Sequence, residues 1–333
     1  MTRIRLLSFQ SVKGGVGKST LATLSALRIA ALAPQQRVWL IDMDLTGTSL
    51  SDALPLVAPR LALESPMTTA PAGFLDVDET ATAVESRDEL QVHPGPPLGV
   101  AYLNDWLLFA DPTWEAQREA RLDVVSWKML GAPENLRVLP SSALPKDLTW
   151  VLPVIFDEEH AAFLEGRLEL LLAAISREAP NSVVVFDVPP TLPGLSRALL
   201  GLALRLGVPE RPMLPLSTLD PWIPPELDRA DLRWRAVLVC TPDHQDIRAL
   251  QRWISQIKPA DESVFQVLYN RAPQADSTQQ DAALSAELDL LEMAHPLWEG
   301  RLALVENPLL RSFRGLQQTP PLELLDPLLE GLL

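Results

Sequence analysis

Short runs of Val, Leu and Ile with little alternation recur along the chain, at Arg3–Phe9, Arg37–Asp42, Leu136–Leu139, Ser182–Asp187, Ala236–Cys240 and Val264–Tyr269. Runs apolar on both faces are what strands of a parallel sheet need when helices cover each side. Between them the period lengthens. Leu21, Leu24, Leu27 and Ala31 recur at helical spacing and predict a helix over Ser19–Ala33. Strand and helix patterns alternate in this way along most of the chain, which predicts an α/β, doubly wound, mostly parallel sheet.

Two stretches interrupt the alternation. The first, about 52–133, combines an acidic part (Asp76–Glu89), an apolar part (Leu98–Ala110, with Tyr102, Trp106 and Phe109) and a helical candidate at Thr113–Leu130. It reads as a largely helical insertion, a partner-binding region or a lid on the protein's own core. The second, smaller one, about 207–234, holds Arg229 and Arg233, with Arg235 just beyond it, around Trp234. Asp228 and Asp231 are interleaved, so ion pairs along a helix are expected rather than a nucleic-acid contact. The tail Gly315–Leu333 is leucine-rich and carries no Lys or Arg, which suits a helix docking on the core and not one lying on anionic lipid.

Composition narrows the classes. With 333 residues, 47% hydrophobic and 21% charged, the chain can bury one large core, and we expect a single domain over 1–333 carrying both insertions. A net charge of −15 disfavours non-specific DNA binding and attachment to an anionic membrane surface. One cysteine, Cys240, allows no internal disulfide and no paired-thiolate metal site, which points to a reducing, cytoplasmic setting. Arg3 and Arg5 do not suit a secretory signal, no apolar run reaches the about 18 residues of a membrane span, and the four histidines lack zinc-ligand spacing.

The chemistry concentrates after the first strand, in Lys13-Gly14-Gly15-Val16-Gly17-Lys18-Ser19-Thr20. Glycines let successive backbone N–H groups turn onto phosphate oxygens, and the following helix adds the positive end of its dipole. Lys18 is placed to reach β- and γ-phosphates, and the Ser19 hydroxyl to ligate Mg²⁺. Asp42, Asp44 and Asp187 close later strands, where open α/β sheets bind ligands.

Val12 stands where the ordinary phosphate loop has its first glycine, and Lys13 follows it. The resulting Lys-Gly-Gly-x-Gly-Lys-Ser resembles the deviant Walker A loop of the MinD/ParA-type P-loop ATPases. That resemblance implies ATP and Mg²⁺ as cofactors and an ATP-sandwich homodimer, with Lys13 crossing to the partner's nucleotide. It also implies that Asp44 orients the attacking water, Asp42 supports the metal shell and Asp187 holds Mg²⁺ through water. Thr241-Pro242-Asp243 is similar to a further family element, and Asn270-Arg271 to the pair that contacts adenine. The family's function would then be slow ATP hydrolysis that times the positioning or assembly of a protein partner. Two other readings stay open: a client-carrying targeting chaperone that uses the apolar insertion, and a nucleotide-binding scaffold without turnover. Cluster-carrying relatives have paired cysteines that this chain lacks, so iron–sulfur delivery is not expected.

Overall fold

The computed structural model describes residues 2–46, 49–57, 102–104, 106–107, 126–142, 145–190, 193–206, 227, 231–254, 265–272, 298–305 and 322–332. Seven strands form one parallel sheet: β1 (Arg3–Gln10), β2 (Arg37–Asp42), β5 (Leu136–Leu139), β6 (Asn181–Asp187), β7 (Asp231–Cys240), β8 (Phe265–Ala272) and β9 (Trp298–Val305), in the order β5-β2-β6-β1-β7-β8-β9. The principal helices are α1 (Lys18–Leu32), α3 (Pro145–Phe156), α4 (Ala161–Glu178), α5 (Pro193–Leu206) and α6 (His244–Ile254), with a short α2 (Ser49–Ala53) after β2. The doubly wound α/β expectation holds. β1 lies at the centre, between β6 and β7, so the chain reverses its winding direction beside β1, at the edge where the loops after β1, β2 and β6 converge.

The central strands are buried along almost their whole length, as their sequences require: Ile4, Leu6, Leu7 and Phe9 of β1 and Val183–Phe186 of β6 have no exposed surface. Leu21, Leu24 and Leu27 bury the inner face of α1 against them. Cys240, at the end of β7, is buried too, and burial pushes its thiol up to about 12.

Three expectations change. β7 begins at Asp231, five residues before the expected Ala236, so Arg233, Trp234 and Arg235 lie on a strand and not on a helix. The reason is a period of two: Leu232 and Trp234 are buried while Arg233 faces solvent. Trp234 stacks on Phe186 of β6, ring centroids 5.6 Å apart, and its indole N–H donates to Ser8 of β1 at 3.0 Å. Asp231 pairs with Arg3, Arg5 and Arg233, and Arg229 lies outside the described residues. β9 joins the sheet beside β8 as a seventh strand, beyond the six apolar runs above.

The third change concerns Thr113–Leu130. Its last residues are strand, with Lys128–Met129 (β4) pairing antiparallel to Leu56–Val57 (β3), while 113–125 lie outside the described residues. Trp127 exchanges both backbone hydrogen bonds with Val138 of β5, at 2.9 Å each. Tyr102, Leu103 and Leu107, from the apolar part of the insertion, are buried in the main core, and Tyr102 tilts against Trp127 at 5.4 Å.

The tail docks as expected, as a 3-10 turn (Leu322–Leu325) and a single helical turn (Asp326–Leu329). Leu325, Leu328, Leu329 and Leu332 are buried; Arg28 of α1 grips Asp326 with two hydrogen bonds of 2.8 Å, and Arg235 donates to the Leu328 and Glu330 carbonyls.

Candidate nucleotide site

Lys13-Gly14-Gly15-Val16-Gly17 makes the turn from β1 into α1. Gly15 and Gly17 take left-handed backbone angles, φ 77° and 95°, and Gly17 caps the helix. At Gly17 a Cβ would come 2.4 Å from Asn270 Nδ2, so a glycine is required on two counts. The first turn of α1 contains no acidic side chain, which leaves its positive end for an anion. Ser19 and Thr20 stand half-buried in that turn, and Val16 is buried beneath the loop. Lys18 is buried. Desolvation holds its ammonium below the usual lysine range, against the opposing pull of Asp187 and Asp44, so an arriving phosphate supplies the charge that the site lacks.

Asp42 and Asp187 are register partners across β2 and β6, and neither reaches solvent. Burial, with Asp187 next to it, pushes the Asp42 carboxyl up to about 8. Its oxygens accept from Ser141 Oγ (2.9 Å), the Asp44 N–H (3.1 Å) and the Leu50 N–H (3.3 Å). Asp42 therefore anchors the loop that follows β2, a supporting place rather than an open ligand position. Asp44, half-buried on that loop, accepts from the Thr46 hydroxyl at 2.7 Å. Hard carboxylate and hydroxyl oxygens beside a phosphate loop fit Mg²⁺. Among the described residues no three His, Cys, Asp or Glu form a cluster that could hold a metal ion by themselves.

Lys13 is held within its own chain. Its Nζ lies 2.7 Å from Asp246 Oδ1 of α6, and the Thr241 hydroxyl donates to the other oxygen of the same carboxylate. Burial raises Asp246, and Lys13 and Thr241 outweigh it, so the carboxyl stays below the usual range. Asp246 was not among the expected site residues; the sequence signal was an acid in the first turn of a helix that follows a strand ending near the loop. Asn270 and Arg271 close the site from β8. The Asn270 amide donates to the Val16 carbonyl at 2.7 Å, and Arg271, itself left-handed at φ 63°, donates to the Gly15 carbonyl at 3.1 Å. The two residues expected at adenine thus fasten the phosphate loop.

Sheet, loop and first helix have the architecture of a P-loop NTPase-like α/β fold. Residues 4–100 match the family described as ParA, NUBPL iron-transfer P-loop NTPase. The chain is similar along its length to apo McdA of Cyanothece, at 14% identity and a TM-score of 0.50, covering 99% of this chain and 95% of that one. It resembles a ParA family ATPase from Chlorobium tepidum TLS equally well in fold, at 12% identity, a TM-score of 0.50, and 99% and 94% coverage. A putative plasmid partition protein of Borrelia burgdorferi B31, bound to AMPPNP, aligns at 16% identity and a TM-score of 0.47, with 98% and 99% coverage.

Proposed function

We propose that the chain is a Mg²⁺-dependent ATPase that dimerises around ATP and uses hydrolysis to time the positioning or assembly of a protein partner. The observation that carries this reading is the buried Lys18 in the first turn of α1, acted on by Asp187 and Asp44. Loop N–H groups and Lys18 bind the β- and γ-phosphates, and Lys13 is supplied to the partner's nucleotide. Asp44 orients the attacking water, with Asp42 holding its loop in place. Ser19 and Asp187 hold Mg²⁺, which when bound neutralises charge on the phosphates. The Asn270 carbonyl accepts from the adenine amine, a choice that favours A over G. Because Asp246 holds Lys13 in cis, dimerisation includes breaking that ion pair.

Two rivals fare less well. A client groove in Leu98–Ala110 is not favoured, since Tyr102, Leu103 and Leu107 are spent on the protein's own core. Iron transfer does not carry over from the family description, because the one cysteine is buried and its thiol is held protonated. The insertion at 52–133 is then the region where a partner specific to this protein docks.

Light scattering with Mg²⁺ and ATP tests the reading. ATP doubles the mass of the wild type and of Asp44→Ala but not of Lys13→Ala. A mass that never changes although ATP binds overturns the switch, and Asp44→Ala with unchanged turnover favours a nucleotide-binding scaffold.

A further inference from the structure

The insertion and the buried Asp42 meet on one tripeptide. β5 ends at Leu139, and the chain continues through Pro140, Ser141 and Ser142, of which both serines have no exposed surface. The Pro140 carbonyl accepts from the Leu103 N–H at 2.9 Å, and the Ser142 N–H donates to Asn104 Oδ1 at 2.8 Å. Between these two grips the Ser141 hydroxyl donates to Asp42 Oδ2 at 2.9 Å. Trp127, from the other end of the insertion, fixes the preceding strand at Val138 and packs on Tyr102. The insertion therefore holds the segment on both sides of the Ser141 hydroxyl that reaches Asp42.

Packing alone does not call for an amide here. Asn104 is fully buried, and its Nδ2 has no hydrogen-bond acceptor among the described residues. Burying an amide with half of its hydrogen bonding unmet costs stability that a leucine would not. The bond that Asn104 does make, to Ser142, is what accounts for it.

We propose that Asn104 is a positioning residue for the nucleotide site: by fixing Ser142 it keeps the Ser141 hydroxyl on Asp42, and so couples the insertion to metal-dependent nucleotide binding. This rests on the Mg²⁺–ATP reading above. Ser141 is a donor to a carboxylate that anchors the Asp44 loop, so on that reading a shift of the tripeptide is felt first where metal and water would assemble. Whatever moves the insertion, a docked partner above all, reaches the site by this route.

The test is calorimetric binding of AMPPNP to the full chain, in EDTA and across a Mg²⁺ titration. Ser141→Ala raises the half-saturating Mg²⁺ concentration about 10-fold and Asn104→Leu about 3-fold, the scale of changes around a metal's outer shell, with affinity in EDTA unchanged. Asn104→Asp, which keeps an acceptor oxygen for Ser142, returns towards the wild type. Leu103→Ala, a cavity in the same segment, lowers the melting temperature and leaves the Mg²⁺ dependence alone. If Asn104→Leu does not fold, Asn104→Ala reads the same shift. The proposal is overturned if Ser141→Ala shifts the Mg²⁺ dependence and the Asn104 variants do not, or if Leu103→Ala shifts it as much. A wild type that binds AMPPNP no better with Mg²⁺ than in EDTA overturns the parent reading as well, which sets that failure apart.

Discussion

The two ends of β1 carry opposite electrostatic designs. At its start, Arg3 and Arg5 face Asp231 across β7, with Arg5 Nη2 2.8 Å from the carboxylate. Burial raises Asp231, and the Arg5 hydrogen bond together with the charges of Arg5, Arg233 and Arg3 outweighs it, so the cluster is settled without help. At its other end a desolvated Lys18 is drawn towards Asp187, whose register partner Asp42 is pushed up to about 8. Both ends sit on the same rigid sheet, so the difference lies in what is missing. The balanced end contributes stability, and the unbalanced end is completed by a ligand.

The strongest way to break this contrast is Lys18→Ala. Removing a preorganised donor to the developing phosphate charge costs roughly 10²–10³ in turnover; a steady-state phosphate assay with less than a tenfold loss would sink the assignment. The next is pH. The folded-state pKa of Asp42 is raised, so its proton is kept in the folded chain and lost from the unfolded one between about pH 4, the ordinary carboxylate value, and about 8. Stability of the nucleotide-free protein therefore falls as pH rises through that window. Asp231 and Asp246, both lowered, contribute in the opposite sense, but their contribution fades only below the ordinary carboxylate range. Melting in EDTA from pH 5 to 8 shows the fall, and Asp42→Asn flattens it.

At the quiet end the effects shrink. Asp231→Ala leaves the nearly buried Arg5 without its carboxylate and costs about 2 kcal/mol of stability, read by denaturant melting, while AMPPNP affinity stays at the wild-type value. Smallest of all is Asp246→Asn. It frees Lys13 from a partly exposed ion pair worth at most about 1 kcal/mol, and so lowers the ATP concentration for dimerisation by up to about 5-fold. No change in the scattering titration would mean that the cis contact does not oppose the dimer.

The central strands and the phosphate loop were legible because each is specified locally: apolar runs bounded by turn residues, and a glycine-lysine octapeptide whose every residue has a job. Arg37–Asp42 and Leu136–Leu139 coincide with their expected bounds. What was not legible depends on contacts distant in sequence. Trp234 among arginines looks like a charged helix until Ser8 and Phe186 are seen to receive its ring. Trp127 looks like the end of a helix until Val138 takes its backbone. At the site, the turn at Gly17 and the start of α1 at Lys18 could be read directly. The hold of Asp246 on Lys13 and of Asn104 on Ser142 could not, since no spacing encodes a meeting across 233 and 38 positions, the differences 246 − 13 and 142 − 104.

Cys240 has a practical consequence. The chain's one thiol sits inside the sheet and stays protonated at any pH at which the protein is handled. Nucleophilic labelling reagents need the thiolate, so the natural protein is silent towards them. A cysteine introduced anywhere on the surface thus becomes a unique attachment point without removal of the native one, and a pair of dyes on two copies can report whether they approach each other when ATP is added.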